Sequence, residues 1–546
     1  MNATLLANKP VISTITDALL EGLHGAERDT LEAAGPDAIA AFVAEAAAVR
    51  QDGQSAVLID SASDERRADG GTRRQRLAII NADMPFLVDS IGNCLSQAGL
   101  VIHLLAHPIL PVRRDAEGHL LNIGDDDDTT RESFIYIETD RIDARGRQAL
   151  AKSLDLTLAH VRAAVSGWRA MTDAMNADAN RLGAGEGGDL LRWLQKGNLT
   201  SLGHELRARD GTASRAKGIC IFTEEPMLSD KRIAEAFAWF EAGHAGPLIL
   251  KSNRTARVHR HVLIDLFIVP VREGDTIAAL SIHAGLWTSA ALAARPEDIP
   301  ILRDTLSGLM ARFGYNPAGH AAKTLVHALT TLPHDLMLAL QPEDRERIPL
   351  TAMSLADRPR PKLELVTDAL NRHLFAFVWM MRDDLSTNQR EAIATMLSGA
   401  TGGDLLGWSI ALEESGLALV RFTFDVRHGG SLPDRQALDL QVQQMLRGWV
   451  PAVEQGLLDL GEGSRAAVLA QRYAASLPMS YRESAGPDEA ARDILALYRL
   501  TGPGTRSVRF YQAPSDGPQK LRVKIYSLEP RSRISASARS TSAAPA

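Results

Sequence analysis

The sequence has little cysteine and no long apolar run. Its 546 residues include two cysteines, Cys94 and Cys220, and each lies in an apolar stretch. A disulfide framework is therefore excluded, and both thiols are predicted to be small core residues of a reducing compartment. The longest membrane candidate, residues 261–271, contains Asp265 and is far shorter than the roughly 20 apolar residues that span a bilayer. Together with an N-terminus that lacks a signal-peptide pattern, these absences predict a cytoplasmic protein without a membrane partner.

The charge balance gives no reason to expect a nucleic-acid partner. Lys and Arg total 60 against 67 Asp and Glu, so the net charge is -7, and no long basic stripe occurs. Hydrophobic residues make up 45% of the chain, which is enough for several cores and for about three or four domains. The acidic run "GDDDDTT" at 124–130 lacks the glycine and the downstream glutamate of an EF-hand and predicts a solvated loop.

Short motifs for nucleotide, metal or redox sites are also scarce. The sequence contains no GxxxxGKS/T phosphate loop, no HExxH and no CxxC. Gly183, Gly185 and Gly188 match GxGxxG, but a long predicted helix precedes them where a dinucleotide site needs a strand. This context favours an interhelical linker over a nucleotide site.

A candidate metal site lies in "VHRHVLID" at 258–265. On a strand, His259, His261 and Asp265 would share one face, and a His-x-His pair with a carboxylate suits zinc or iron. The alternative is that these groups line a half-exposed strand and bond to neighbouring backbone, and it is favoured because no further ligand cluster supports a metal.

For two further histidines and a basic cluster, a binding role must also be weighed against a structural role. His103 and His107 are predicted to be core histidines with satisfied hydrogen bonds rather than metal ligands. A basic cluster precedes the candidate metal site and could either hold a carboxylate or phosphate or pair with acidic residues. Ion pairing is favoured because acidic residues dominate the net charge. The cluster consists of Lys251, Arg254, Arg257 and Arg260.

The best-marked structural unit is "NADMPFLVDSIGNCLSQAGLVIHLLAHPILPV" at 81–112. Apolar residues at helical spacing predict a helix that Asp83 would cap and Gly99 would end. The nearly continuous apolar stretch at 100–112 predicts a strand buried on both faces, and "ESFIYIETD" at 132–140 predicts another strand. This order of elements describes a small α+β sandwich with helices on one face of the sheet.

The whole chain is predicted to be α+β, with several antiparallel-sheet-plus-helix modules joined by helical segments. The same order of elements recurs from His373, which predicts a second module. In "KLRVKIYSL" at 520–528, alternation predicts a half-buried strand with Leu521, Val523 and Ile525 on one face. The predicted division is a helical segment at 1–75, a first module with a long helix at 76–180, an α+β domain followed by helices at 181–360, a second module at 361–460, a helical segment at 461–519, the start of a third module at 520–530 and a disordered tail at 531–546.

A set of segments in a fixed order carries a family resemblance, and it covers about residues 75–528. The segments include "DMPFLVDSI", "GLVIHLLAHPILPVRRDAEG", "LLRWLQKGNLTSLG", "SNRTARVHRHVLIDLFIV", "GLWTSAALAARPEDIPILRDTL", "HLFAFVWMMRDDLSTNQREAI" and "YRESAGPDEAARDI". Together they resemble the N-terminal region of the large bacterial NAD-specific glutamate dehydrogenases. In that family this region consists of ACT-like regulatory modules, small α+β units that often bind amino acids, and the two predicted modules resemble the first two of them.

The resemblance implies the family reaction, in which L-glutamate, NAD and water give 2-oxoglutarate, ammonia and NADH. The family's catalytic domain lies downstream of the matched region, so we assign no catalytic, cofactor-binding or metal-binding residue and expect no NAD bound to this chain. We expect a regulatory and oligomerisation segment, homo-oligomeric in the full-length family. Ligands of ACT-type units commonly lie where the first strand meets the first helix, which points to Asp83, Phe86 and Asp89 as contacts of an amino-acid effector.

Two alternative functions remain open. One is a free-standing amino-acid-binding regulator of the ACT type, and the other is a metal-dependent hydrolase that uses His259, His261 and Asp265. We also expect that the chain is truncated by a shifted reading frame shortly after Leu528, because the last predicted strand has no partner strands after it and would leave unpaired edges.

Overall fold

The computed structural model of the chain describes most of its length as an α+β fold. Sheets of six, five, four and two strands are surrounded by helices, so the predicted fold class is confirmed. None of the described helices is both long and apolar enough to cross a membrane. Predictions for residues 125–127 of the acidic run, for Cys220 and for the tail lie outside the described residues. Those residues are 9–61, 74–124, 128–215, 227–413, 416–427, 433–446, 448–502, 504–512 and 521–528.

The first module begins with three helices and ends with a long one. Its elements are α1 (Lys9–Glu21), α2 (Ala26–Ala34), α3 (Pro36–Ala47), β1 (Ala56–Ser61), β2 (Arg74–Ala82), α4 (Leu87–Gln97), β3 (Ile102–Ala106), β4 (Ile109–Arg114), β5 (Leu120–Ile123), β6 (Thr130–Asp140) and α5 (Ala144–Ser166). The strands form an antiparallel sheet in the order β1-β2-β6-β4-β5, and β3 also pairs with β6. Residues 1–75, predicted to be helical, therefore also contribute strand β1 to this sheet.

Helices cover both faces of the first sheet, so the prediction of helices on one face is wrong. Residues such as Leu77 and Ile135 pack against α4 and α5, whereas Ile80 and Phe134 pack against α1 to α3. The physical reason is that β2 and β6 are apolar at consecutive positions. A strand of that kind has two hydrophobic faces, and each face needs a cover.

The stretch at 100–112, predicted to be one doubly buried strand, is two strands. The chain breaks at His107 and Pro108, where Pro108 has no backbone N–H to donate but its carbonyl accepts a hydrogen bond from the N–H of Phe134 at 2.9 Å. β3 and β4 then pair with consecutive parts of β6. Val101, just before β3, is 57% exposed, so this end of the stretch is not buried.

The two histidines of this stretch also differ from the prediction. His103 is an exposed residue whose Nε2 lies 2.8 Å from Oδ1 of Asp140. The buried Nε2 of His107 has no hydrogen-bond partner among the described residues, and burial lowers the pKa of this imidazole. Neither residue is therefore a satisfied core histidine. By contrast, Gly99 has a φ of +72° and ends α4, as predicted.

A middle region follows and is built on a five-stranded sheet. Its elements are α6 (Trp168–Leu182), α7 (Glu186–Trp193), β7 (Leu199–Ala208), β8 (Ala213–Arg215), α8 (Asp230–Glu241), β9 (Leu248–Thr255), β10 (Leu263–Glu273), β11 (Thr276–Trp287) and α9 (Ser289–Leu292). The antiparallel strand order is β8-β7-β11-β10-β9.

Two of the three glycines of the GxGxxG match, Gly183 and Gly185, lie between two helices, as predicted, whereas Gly188 lies inside α7. Gly183 follows α6 and Gly185 precedes α7. A Cβ at Gly188 would lie 2.3 Å from the carbonyl oxygen of Gly183, so the close approach of the two helices explains this glycine without a nucleotide.

Four further helices and the second module complete the larger part of the fold. The helices are α10 (Leu302–Phe313), α11 (His320–Thr331), α12 (His334–Ala339) and α13 (Pro342–Asp357). The module consists of β12 (Lys362–Thr367), β13 (His373–Met381), α14 (Thr387–Thr401), β14 (Asp404–Leu412), β15 (Leu417–Asp425) and α15 (Arg435–Met445). Its antiparallel order is β12-β13-β15-β14. One face of this sheet packs on α14 and α15, and the other packs on α10 to α13 and the middle region.

The C-terminal part is a helical cluster with a strand hairpin. Its elements are α16 (Trp449–Asp459), α17 (Arg465–Tyr473), α18 (Met479–Ser484), α19 (Pro487–Tyr498), β16 (Arg506–Tyr511) and β17 (Arg522–Ser527). The predicted final strand is thus present, but it is not unpaired, because it forms an antiparallel sheet with β16.

The face of β17 that is buried is its polar face. Lys524 Nζ lies 2.6 Å from carboxylate oxygens of both Glu489 and Asp493 on α19, and Tyr526 Oη donates to Asp493 at 2.6 Å. These ion pairs and hydrogen bonds turn the apolar alternate residues outward, so that Val523 is 51% and Ile525 is 48% exposed. The sequence alternation is therefore correct, but its apolar side lies on the surface of the described chain.

A buried carboxylate connects the N-terminal helices to the first sheet. The fully buried side chain of Glu132 accepts hydrogen bonds from Arg50 Nη2 and Arg114 Nε, both at 2.7 Å. Burial alone would raise the pKa of Glu132, but hydrogen bonds from Arg114 and Arg50 outweigh it and hold the pKa below its usual value. This carboxylate is therefore ionised in the folded chain.

We predict that Glu132→Gln lowers the free energy of unfolding by about 3–5 kcal/mol, because two buried guanidinium groups lose their counterion. Since the folded-state pKa is lowered, the stabilisation by Glu132 is complete above its usual pKa of 4.5 and is lost as the pH falls through the folded-state pKa. Urea denaturation between about pH 3 and pH 7 should therefore show a flatter acid limb for the variant.

Glu32→Gln is the matched control. Glu32 pairs with Arg28 at 2.9 Å, but both side chains are about half exposed, so we expect a change below about 0.5 kcal/mol. Equal losses in the two variants would show that the buried network does not contribute as described.

Candidate functional site

The first turn of α4 lies where the sequence predicts a regulatory ligand. Phe86 has a φ of +73° and leads the chain into the helix, and no side chain caps the helix start. Asp83 instead accepts a hydrogen bond from Ser133 Oγ at 3.0 Å, so the prediction that it caps α4 is wrong. Asp83 therefore interacts with β6, the strand that pairs with β2.

Phe86 and Asp89 contact the loop that precedes β10. The rings of Phe86 and His259 lie 5.3 Å apart, and Asp89 Oδ2 lies 2.9 Å from His259 Nδ1. The backbone of His259, with a φ of +64°, is bonded to the same helix: its N–H donates to Ser90 Oγ at 2.9 Å, and its carbonyl accepts from Asn93 Nδ2 at 2.6 Å. Two of the three predicted ligand residues thus form a contact between the first module and the middle region.

The predicted metal ligands do not come together. Residues 257–260 form a bent loop rather than a strand, and β10 begins only at Leu263. His259 contacts Asp89, His261 Nδ1 lies 2.9 Å from Gln97 Nε2, and Asp265 pairs with Lys251. The hypothesis of a hydrolase metal site at His259, His261 and Asp265 is therefore wrong, because it depended on a strand through all three.

A different group of ligand-type side chains lies inside the middle region. His204 and His283 are cross-strand partners on β7 and β11 with rings stacked at 4.7 Å, and His283 Nε2 lies 2.6 Å from Asp178 Oδ2. Burial lowers the pKa of His204 to about 4, and its Nε2 pairs with Ser281 Oγ at 2.8 Å. Each of these side chains has a partner within the protein. We therefore interpret the cluster as a hydrogen-bonded polar network between α6 and the sheet.

The basic cluster predicted from the sequence is dispersed over several partners. Lys251 is buried, and its Nζ lies 2.6 Å from Asp265 Oδ1 and 2.5 Å from Asp335 Oδ2. Lys251 and Asp265 face each other across β9 and β10, and Asp335 is supplied by α12. The favoured interpretation, pairing with acidic residues, is confirmed for Lys251.

Two of the three arginines that follow Lys251 in this cluster bond to uncharged groups. Arg260 donates to the backbone carbonyl of Trp287, and Arg257 Nη1 donates to Ser153 Oγ at 3.4 Å. Arg254 and Arg257 line one cavity, whereas Lys251 and Arg260 line another, so the four cations do not form one anion site.

The two carboxylates around Lys251 have opposite properties. Burial raises the pKa of Asp265 to about 7, although the ammonium of Lys251 opposes the shift. Burial also acts to raise the pKa of Asp335, but the charge of Lys251 outweighs it and the pKa falls to about 2. One ammonium group therefore holds one firmly ionised carboxylate and one that takes up a proton near neutrality.

A cleft of about 790 Å³ opens beside this network. Its walls come from β9 and β10, the junction of α11 and α12, and strands β14 and β15 of the second module. The charged side chains at its surface are Lys251, Arg260, Asp265, Asp335 and Arg421. A smaller cavity of about 260 Å³ lies between α4, α5 and the loop before β10. Sequence spacing could not indicate either one, because each is assembled from distant segments.

Four family models match this chain, and all describe parts of one enzyme family. They are "Glutamate dehydrogenase, ACT1 domain" at residues 23–154, "helical motif 1" at 299–358, "ACT2 domain" at 362–450 and "helical motif 2" at 457–500. The matched segments correspond to the first module, helices α10 to α13, the second module and the C-terminal helical cluster.

Curated relatives agree with these models. The chain is 28% identical over 482 residues to the NAD-specific glutamate dehydrogenase of Pseudomonas aeruginosa, which covers 82% of this chain and 29% of that protein. The corresponding enzyme of Halomonas elongata is 26% identical over 486 residues, covering 82% and 30%, and that of Mycobacterium tuberculosis is 22% identical over 472 residues, covering 80% and 28%.

The modular α+β architecture and the order of its matched segments define a protein with ACT-type domains. The chain belongs to the large bacterial NAD-specific glutamate dehydrogenase family. It spans less than a third of the length of the curated relatives that it matches.

We predict that Lys251→Met lowers the free energy of unfolding by about 3–5 kcal/mol, because it leaves two carboxylates facing each other in a buried site. Without the ammonium, burial and mutual repulsion raise both carboxyl pKa values in the folded chain. Stability from such groups is present at low pH and is lost as the pH rises through the folded-state pKa. Chemical denaturation should therefore show a smaller deficit near about pH 5 than near about pH 8.

Lys323→Met serves as the control because Lys323 is exposed on α11, and it should shift stability by no more than about 0.5 kcal/mol. A deficit for Lys251→Met that does not change with pH would contradict the assignment of Asp265 and Asp335 as its partners.

Proposed function

We propose that these residues form a regulatory and assembly part of an NAD-specific glutamate dehydrogenase, whose family reaction converts L-glutamate to 2-oxoglutarate and ammonia. The observation that carries the proposal is the contact of the first turn of α4 with His259. A ligand at this turn acts directly on the junction between the first module and the middle region. We propose that the full-length protein assembles as a homo-oligomer in the cytoplasm and uses NAD as the cofactor of catalysis, outside the modules of this chain.

The proposed effector is an amino acid that binds near Asp83, Phe86 and Asp89. The backbone N–H groups at the start of a helix favour a carboxylate, and the two aspartates favour an ammonium group. Asp89 is already paired with the imidazole of His259 at 2.9 Å. An ammonium group at Asp89 would replace that imidazole, so effector binding is linked to loosening of the contact between the two units.

We expect a common amino acid or 2-oxoglutarate to raise the melting temperature of the chain. A ligand at a hundredfold excess over its dissociation constant stabilises the native state by about 2.7 kcal/mol. Thermal-shift screening of the common amino acids and 2-oxoglutarate measures this. Asp89→Asn should reduce the shift, whereas Asp155→Asn, an exposed position on α5, should leave it unchanged. A flat profile across all ligands would count against a sensor and leave assembly as the role.

We also expect that the chain, purified by itself, neither binds NAD nor produces NADH from glutamate. The support is that its GxGxxG glycines join two helices, whereas a dinucleotide site needs a strand leading into them. Isothermal titration with NAD and the absorbance of NADH measure the two properties, with a mock purification as the control. Glutamate-dependent NADH formation above that control would overturn this part of the proposal.

A further inference from the structure

Arg421 is one of two arginines in the cleft, with Arg260, whose guanidinium groups have no charged partner among the described residues. It lies on β15, on the sheet face that carries Leu417 and Leu419 into the core shared with α10 to α13. Its Nε and Nη2 both donate to Ser409 Oγ, its cross-strand partner, at 2.9 and 2.7 Å. No carboxylate of the described residues lies within ion-pair distance of it. A guanidinium carries five N–H donors, so one hydroxyl leaves most of its capacity unused.

The other cations of the cleft differ in how far their charge is compensated. Lys251 is held by two carboxylates, Asp265 and Asp335, whereas Arg260 donates only to the backbone carbonyl of Trp287 among the described residues. The charges at the cleft surface are thus three cations and two carboxylates, and one of these carboxylates, Asp265, has a pKa raised by burial to about 7. The cleft therefore has a net positive charge at neutral pH. Burial lowers the pKa of Arg421, although the negative charge of Asp335 opposes the shift.

The shape and walls of the cleft suit a small molecule. Its volume of about 790 Å³ lies within the range of small-molecule sites. Leu263, Leu332 and Leu419 provide apolar contact surface, and Thr331 and Thr423 line the same space. An apolar wall with a few polar groups and with guanidinium donors that no carboxylate of the described residues occupies selects a short anion with an aliphatic portion.

We propose that this cleft between the middle sheet and the second module binds a small carboxylate through the guanidinium of Arg421, at a site separate from the first turn of α4. A planar guanidinium matches a carboxylate in a bidentate geometry, which is the strongest arrangement available to it here. The ligand contacts two different sheets, so its binding holds the second module against the middle region. The inference rests on the proposed function in that the carboxylate acts as an effector.

Isothermal titration of the whole chain with 2-oxoglutarate and with L-glutamate tests the site, at constant ionic strength. Arg421→Gln should weaken binding at least about tenfold, as expected for loss of a charge-assisted pair of hydrogen bonds. Arg272→Gln is the matched control, because Arg272 is exposed at the end of β10 and does not line the cleft, and its affinity should equal that of the unmodified chain. Trp287 and Trp408 line the cleft, so tryptophan fluorescence should report the same titration.

Arg421→Lys keeps the positive charge but lacks the planar guanidinium group. This variant replaces Arg421→Gln if the latter does not fold. We expect it to bind the carboxylate more weakly than the unmodified chain does. Equal affinity of the Arg421 variants and the unmodified chain, together with loss of binding in Asp89→Asn, would overturn the inference and leave the proposed function intact. Inorganic phosphate bound as tightly as either carboxylate would overturn the assignment of the ligand class. Absence of binding by the unmodified chain would also overturn the inference, and light scattering would then judge the assembly role separately.

Discussion

The three larger sheets have two apolar faces each, and the need to cover both faces determines how the chain is arranged. The first sheet is covered by α1 to α3 on one side and by α4 and α5 on the other. In the middle sheet, Leu266 and Ile268 belong to the core that contains α4 and α5, whereas Phe267 and Val269 belong to the core that contains α10 to α13. The second module completes the second of these cores with its own sheet. Each core is therefore shared by neighbouring units.

Buried charges mark the places where these shared cores meet. Glu132 joins the N-terminal helices to the first sheet, and Lys251 joins the middle sheet to α12. A third contact is made by Arg372, whose Nη1 donates to the carbonyl of Lys251 at 3.0 Å. Apolar packing tolerates small shifts between layers, but a buried ion pair is costly to separate. These contacts consequently favour one relative position of the sheets.

Local patterns in the sequence were sufficient for some features and not for others. The φ of +72° at Gly99 and the interhelical position of Gly183 follow from short-range chemistry, and both were predicted correctly. The α+β class followed from the order of apolar segments. The second cover on the first sheet could not be predicted in this way, because residues 1–75 were predicted only as a helical segment without an assigned packing partner. Pro108 has no backbone N–H, which favours a break between two strands. The length of the apolar run around it nevertheless led to the prediction of a single strand.

The candidate sites show the same limit more clearly. Asp83, Phe86 and Asp89 are close in sequence, and their neighbourhood could be identified, but not the contact with His259 from 170 residues away. Arg421 gave no signal, since it stands alone in an apolar strand and its importance comes from the lack of an ion-pair partner among the described residues. For β17 the alternation was recognised, but the choice of buried face depends on Glu489 and Asp493 of α19. Tertiary partners decide such questions, and a single sequence does not contain them.

The sharing of cores also decides where this polypeptide can be divided. The glycines near Gly183 are a natural choice for dividing the chain into two fragments. However, one core contains Leu154, which precedes these glycines, together with Phe237 and Leu266, which follow them. Two fragments divided there would each expose an apolar surface to water. The position between Leu446 and Trp449 is different. Every buried residue of the C-terminal helical core lies after it, and every buried residue of the core under α14 and α15 lies before it. Fragments for expression, crystallisation or isotope labelling are best ended there.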